Sequence, residues 1–170
     1  ITGSKHGCYD NLPFIAPLED LIRDIWAQSL PLAGICFGHQ IIAQALGGKV
    51  EKFKGGWSVG LTEYDFEGEK VSLNAWHQDQ VTRLPDEATV TGSSDFCQNA
   101  FISYGDKVFT LQAHPEFDNT FVKGLIEHRG PGVVPPKLLD QARKNLVQDN
   151  ANSVIKRKIA TLFQSSKVDS

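Results

Sequence analysis

Cys36 stands in the run Gly34-Ile35-Cys36-Phe37-Gly38-His39-Gln40, between two stretches of different character. Before it lies the apolar Leu30-Pro31-Leu32-Ala33-Gly34-Ile35, which reads as a short buried strand. After it, Ile41-Ile42-Ala43-Gln44-Ala45-Leu46 reads as a helix stopped by Gly47-Gly48. A strand that passes into a helix across a residue flanked by glycines has the layout of a nucleophile elbow. The turn needs small neighbours, and glycine accepts strained backbone angles. It would push the thiol out at the carboxyl end of the sheet, where α/β sites form. The helix would aim its positive end at the sulfur, which favours a negatively charged nucleophile. The free amide of Phe37 could donate to an oxyanion. Outside such a context a lone Cys is usually a small buried hydrophobe, and that is how Cys8 and Cys97 read.

A thiolate needs a base, and the base needs an acceptor that fixes its tautomer. His114-Pro115-Glu116 supplies both. It follows the strongest strand-like run, Lys107 to Ala113, so His114 would emerge on the same sheet edge as Cys36. One residue separates His114 from Glu116, which lets the side chains converge, and Pro115 stiffens the backbone between them. Alone, His-Pro-Glu could equally be a solvated turn; beside Cys36 each group supplies what the other lacks. In Trp76-His77-Gln78-Asp79-Gln80-Val81 a histidine, amides and a carboxylate cluster beside a Trp. His77 reads as lining the site and Asp79 as a hydrogen-bond anchor.

These groups must be positioned by an α/β framework. Residues 14–29 show helical spacing, with Leu18, Leu21, Ile22, Ile25 and Trp26 on one face, Pro17 in the first turn and Glu19 and Asp20 as acidic first-turn residues. The middle of the chain alternates short strand-like runs (50–53, 58–64, 71–74, 89–93, 101–104) with Gly, Pro and Asp turns. Residues 118–128 read as a helix with Phe121, Leu125 and Val122 inward, and 137–164 again show helical spacing. Ile1-Thr2 reads as a strand end entering the loop Gly3 to Gly7. The chain begins without Met and holds none, which reads as a fragment whose first strand or strands lie before Ile1.

The 170 residues, 41% hydrophobic and 22% charged, suit one ordinary globular domain. A net charge of −3 shows no basic excess for nucleic acid or an anionic membrane, and no apolar run approaches a bilayer span. Three cysteines do not read as a disulfide framework, nor do any have zinc spacing, and no phosphate loop occurs. A cytoplasmic enzyme with one special Cys, and no metal or cofactor, is the expectation.

The two motifs, Gly34-Ile35-Cys36-Phe37-Gly38-His39-Gln40 and Gln112-Ala113-His114-Pro115-Glu116-Phe117, resemble the class I (triad) glutamine amidotransferases. Gly56-Trp57-Ser58-Val59-Gly60 with Ala75 to Asp79 resembles the stand-alone, GMP-synthase-like members. The resemblance implies a flavodoxin-like three-layer open sheet, mostly parallel, with an antiparallel region in the middle. It implies a single amidotransferase domain over 1–170, N-terminally incomplete, with 137–170 as its C-terminal helical segment. It also implies a Cys36-His114-Glu116 triad that hydrolyses the glutamine amide through a γ-glutamyl thioester and releases ammonia, without a cofactor. Gly3 and Ser4 would give the second oxyanion amide, although the family usually has a second Gly where Ser4 stands. Gln40 would help hold the substrate. His39 belongs to the same motif, either as a packed histidine or with a direct role, and His77 falls in the family's His-x-Asp-x-Val segment. Many such enzymes pass ammonia to a synthase domain or subunit, so a synthase partner is one expectation. A γ-glutamyl peptidase acting on small γ-glutamyl compounds and a non-catalytic binding module of the same fold are the alternatives.

Overall fold

The structure, a computed structural model, describes residues 1–165; positions 166–170 of the expected C-terminal segment lie outside the described residues. In chain order the elements are α1 (Ile15–Ala27), β1 (Leu32–Ile35), α2 (Phe37–Ala45), β2 (Lys49–Lys52), β3 (Ser58–Phe66), β4 (Glu69–His77), β5 (Asp79–Arg83), β6 (Ala88–Ser93), β7 (Phe101–Tyr104), β8 (Val108–Leu111), α3 (Asn119–His128), α4 (Pro136–Asn145) and α5 (Asn152–Ser165).

The main sheet has the order β1-β8-β7-β6-β3-β4. Strands β1 and β8 run parallel, with Leu32 opposite Val108 and Ile35 opposite Leu111. Every other neighbouring pair in this sheet is antiparallel. The sheet is therefore mixed rather than mostly parallel. The reason is local: β3 and β4 are joined by Glu67-Gly68, both at positive φ (51° and 87°), and such a two-residue turn makes a hairpin. The short turn through Gly105 (φ 57°) does the same for β7 and β8. A parallel pair needs a long crossover, and among these neighbours only β1 and β8 have one. The sheet also curls. Asn74, on the far edge strand β4, bridges to His114 just beyond β8. A second small sheet pairs β2 with β5, antiparallel.

Both faces of the central strands are covered, so β8 is buried at every position. On one face Ile22 of α1, Ile41 and Ile42 of α2, Ile102 and Val108 form one core cluster. On the other, Phe66, Leu73, Phe101, Phe109 and Leu111 pack with Ile155 of α5. A third cluster joins Val122 and Ile126 of α3 to Leu139 and Ala142 of α4, with Trp57, Val59 and Trp76 against it.

Several expected details shift. Helix α1 starts at Ile15, so Glu19 and Asp20 fall beyond its first turn. Leu21 faces outward and is exposed. In α3 the inward pair is Val122 and Ile126, four apart, which turns Phe121 out to 52% exposure. The C-terminal helical stretch breaks between 145 and 152 into α4 and α5. Strand β5, Asp79-Gln80-Val81-Thr82-Arg83, was not expected as a strand, because its polar residues lack the alternation of a half-buried strand. Among the described residues no helix is long and apolar enough to cross a membrane.

Candidate active site

The elbow forms as the sequence suggests, but its parts divide the work differently. Cys36 itself carries the strained backbone, with φ 52° and ψ −101°. The flanking glycines serve close approach instead. A Cβ on Gly34 would lie 2.7 Å from the backbone of Gly38, and one on Gly38 would lie 2.2 Å from the Ile1 carbonyl oxygen. Helix α2 can thus press against β1 and Ile1 only because both positions lack side chains. The Cys36 N–H donates to the Leu111 carbonyl at 2.9 Å, which ties the elbow to the end of β8.

His114 is carried by the same sheet end. Its N–H donates to the Asn74 carbonyl at 2.8 Å, and the Phe117 N–H donates back to the His114 carbonyl at 3.2 Å. His114-Pro115-Glu116-Phe117 is thus a tight turn with Pro second, where its fixed φ is preorganised. The turn returns Glu116 to the ring, with Nδ1 and Oε1 2.8 Å apart. It also lays the Phe117 ring on the imidazole, with centroids 3.9 Å apart and planes 6° from parallel. The Phe117 carbonyl accepts from Asn74 Nδ2 at 3.2 Å and Asn152 Nδ2 at 2.8 Å, so β4 and the start of α5 both hold the turn.

With Nδ1 committed to Glu116, Nε2 is left for the sulfur. Burial alone would lower the His114 pKa. Hydrogen bonding and charge from Cys36 and Glu116 outweigh it and push the pKa up to about 9. A ring that stays protonated there is poised beside an anionic partner. Gly3 closes the other side: a Cβ there would sit 3.0 Å from His114 Cε1 and 3.9 Å from Cys36 Cβ.

These groups open into a cavity of about 480 Å³ lined by Thr2, Gly3, Ser4, Lys5, Cys36, Trp76, His114, Glu116, Phe117, Phe121 and Leu125. That is within the range of small-molecule sites. Of the expected site residues, the structure brings together Gly3, Ser4, Cys36, His114 and Glu116 in its wall. Phe37 opens α2 directly after Cys36, with its side chain in the core, so it can offer the site only its backbone amide.

Gln40 and His77 do not line this cavity. Gln40 is buried, and its Nε2 donates to the Asp79 carbonyl at 2.9 Å and Gln112 Oε1 at 3.1 Å. His77 lies behind the wall, with Nδ1 3.3 Å from the Asp79 carbonyl. Its neighbour Trp76 lines the site instead, since adjacent strand residues face opposite sides. Burial, the largest influence, drives the His77 pKa down to about 4. His39 is fully buried against Thr110 Oγ1 at 2.8 Å, and burial takes its pKa down to about 3. Both are neutral rings inside the fold. Asp79 does act as an anchor: its side chain accepts from Tyr9 Oη at 2.9 Å, and its carbonyl accepts from Gln40. Burial pushes the Cys8 and Cys97 thiols up to about 12.

Sequence reasoning missed Lys5, Trp76, Phe117, Phe121 and Leu125 as wall residues. Phe117 had a legible signal, three residues after His114 in the same motif. Lys5 follows Ser4 in the same loop, and the others depend on strand pleat, helix phase and sheet curl.

The family model described as glutamine amidotransferase class-I matches residues 12–126. Gamma-glutamyl peptidase 3 of Arabidopsis thaliana is 29% identical over 156 residues, covering 83% of this chain and 61% of that protein. A glutamine-hydrolyzing GMP synthase subunit of Methanopyrus kandleri is 35% identical over 117 residues, covering 60% of this chain and 59% of its own. The chain thus spans about 60% of the length of these relatives. A crystal structure of a glutamine amido transferase from Methylobacillus flagellatus shares the fold, with a TM-score of 0.74 at 21% identity over 98% of this chain and 74% of that one. The elbow and the His-Pro-Glu turn both fall inside the matched residues, and the chain belongs to the class-I glutamine amidotransferase family.

Proposed function

We propose that Cys36, His114 and Glu116 hydrolyse the side-chain amide of glutamine, or of another γ-glutamyl compound, through a thioester on Cys36. The observation that carries this reading is one contact chain. Cys36 and His114 both flank Gly3, where a Cβ would sit 3.9 Å from Cys36 Cβ and 3.0 Å from His114 Cε1, and the ring's Nδ1 lies 2.8 Å from Glu116 Oε1. The sulfur, its proton held by His114, attacks the amide carbon. The negative oxygen that forms is met by the Phe37 amide and by the loop at Gly3-Ser4. His114 then returns the proton to the leaving nitrogen, the C–N bond breaks and ammonia or an amine departs. Water attacks the thioester, His114 takes and returns one proton, and glutamate is released from the restored thiol. Glu116 holds the ring in the productive tautomer and stabilises its charged form.

In the amidotransferase reading the nitrogen leaves as ammonia for a synthase partner. The relative named as a GMP synthase component supports such a partnership. The peptidase reading shares every step and differs only in the leaving amine. Relatives of that name support it. A non-catalytic module is disfavoured by the intact geometry of all three groups. The test is ammonia and glutamate release from glutamine by the wild type and by Cys36→Ala. The wild type should turn over and the variant should not; equal rates would overturn the reading.

A further inference from the structure

The two donors assigned to the oxyanion stand on separate elements. The Phe37 amide opens α2, while Gly3 and Ser4 belong to the loop between Ile1 and Asp10. Oxyanion stabilisation requires donors held in place before the charge forms, so the loop must be set against the helix. Between its ends the loop is free to shift. Thr2, Gly3 and Lys5 form no hydrogen bond among the described residues, and the Ser4 hydroxyl accepts only from the His6 N–H, at 3.1 Å. The start is tied where the Ile35 N–H donates to the Ile1 carbonyl at 2.9 Å. The far end is the turn Gly7-Cys8-Tyr9-Asp10. It is closed by the Asp10 N–H on the Gly7 carbonyl at 3.1 Å and by the Gly7 N–H on Asp10 Oδ2 at 2.9 Å.

Two adjacent residues attach this stiff turn to the rest of the fold. Cys8 is fully buried, and its carbonyl accepts from Gln44 Nε2 of α2 at 2.7 Å. A single such attachment is a pivot. The second comes from Tyr9, whose Oη donates to Asp79 Oδ2 at 2.9 Å. It fixes the angle at which the turn feeds chain back toward Gly3. Burial first, and then the Asp79 carboxylate, raise the Tyr9 pKa, so the hydroxyl stays a donor. Asp79 also reaches the other donor. It opens β5 opposite Lys52, and its carbonyl accepts from Gln40 Nε2 at 2.9 Å. Gln40 closes the first turn of α2, its N–H on the Cys36 carbonyl at 3.1 Å. A strand residue sends its side chain out of the plane in which its carbonyl lies, so Asp79 can hold α2 with one and the loop with the other.

We propose that the Tyr9–Asp79 bond is a clasp that sets the spacing of the two oxyanion donors, with Tyr9 and Asp79 as positioning residues. This rests on the hydrolytic reading above and adds two residues to it, neither of which lines the cavity over Cys36. Attack on the amide and hydrolysis of the thioester both pass through an oxyanion, so a slack clasp slows turnover whichever step limits it. Ground-state binding needs the donors less, so KM is spared.

The test uses the full chain with glutamine and γ-glutamyl-p-nitroanilide, reading glutamate release on the better substrate. Iodoacetamide, whose reaction with a thiol forms no oxyanion, reports on Cys36 itself. Tyr9→Phe should lower kcat about tenfold, short of the roughly hundredfold or more that follows loss of an oxyanion donor. KM should change less than about twofold. Alkylation of Cys36 should keep the wild-type rate, since the sulfur, His114 and Glu116 are untouched. Asp79→Asn keeps an oxygen for Tyr9 and should retain most of kcat. Asp79→Ala should fall as far as Tyr9→Phe, and the double substitution should fall no further. An unchanged kcat in Tyr9→Phe, an Asp79→Asn as slow as Asp79→Ala, or alkylation that slows in step with kcat overturns the clasp and leaves the hydrolytic reading standing. If the wild type hydrolyses neither substrate, the hydrolytic reading itself fails, and the clasp with it.

Discussion

Two helical glycines, replaced by alanine, should move stability in opposite directions. Alanine is favoured over glycine in a helix interior by about 1 kcal/mol. At Gly124, in α3, an added Cβ has nothing within 4 Å, so the propensity gain stands alone. For a chain of this size Gly124→Ala should raise Tm by about 2–4 °C. At Gly38, in the first turn of α2, the added Cβ would lie 2.2 Å from the Ile1 carbonyl oxygen and 2.8 Å from its carbonyl carbon. Both are backbone atoms, so no rotamer change relieves the clash. Overpacking of this kind costs about 1–3 kcal/mol and exceeds the helix gain. Gly38→Ala should therefore lower Tm by several degrees, and since α2 must back away from Ile1, it should also slow alkylation of Cys36. Differential scanning calorimetry on both variants, with a thiol-alkylation time course, checks this. A Gly38→Ala protein as stable as Gly124→Ala, with Cys36 reacting at the wild-type rate, would refute the account of the elbow as a steric device.

The remaining predictions concern charge. Glu116→Gln should lower kcat by about a hundredfold while KM moves little, because the carboxylate matters most when His114 is charged in the transition state; steady-state kinetics on glutamine checks this, and an unchanged kcat removes Glu116 from the mechanism. Burial holds His39 and His77 near pKa 3 and 4, below the unfolded 6.5, so their neutral forms support the fold above pH 6.5 and that support is lost as pH falls toward 4 and 3. His114 has the opposite sign: raised to about 9, it supports the fold below pH 6.5, and that support is lost as pH rises through about 9. Tm should thus peak between these limits, His77→Gln should flatten the acid side, and Cys36→Ala should flatten the alkaline side. A profile unaltered by both substitutions would contradict the assigned couplings.

The groups of the candidate site were legible because their signals are local. Gly34-Ile35-Cys36-Phe37-Gly38 after an apolar run dictates a strand–turn–helix, and two-residue spacing across Pro115 dictates that Glu116 returns to His114. What was not legible depends on partners distant in sequence. The antiparallel middle was expected, but its extent was not, because a positive-φ turn such as Glu67-Gly68 looks like any loop until its flanking strands are seen to pair. Strand β5 pairs with β2 outside the main sheet and buries two adjacent residues, Gln80 and Val81, so no alternation marks it. His77 read as a wall residue because it stands next to Trp76, yet the pleat sends the two side chains to opposite faces. Phe121 read as core because it is large and apolar, while the phase of α3 is set by Val122 and Ile126.

The central claim is that one of three cysteines is a nucleophile shaped for a γ-glutamyl group. Incubation with a glutamine-like diazoketone, followed by peptide mass mapping with and without excess glutamine, tests it most directly. The account predicts a single adduct on Cys36, suppressed by glutamine, with Cys8 and Cys97 unmodified behind thiols pushed up to about 12. Modification of Cys8 or Cys97 while Cys36 stays free, or labelling of Cys36 that glutamine does not slow, would contradict it.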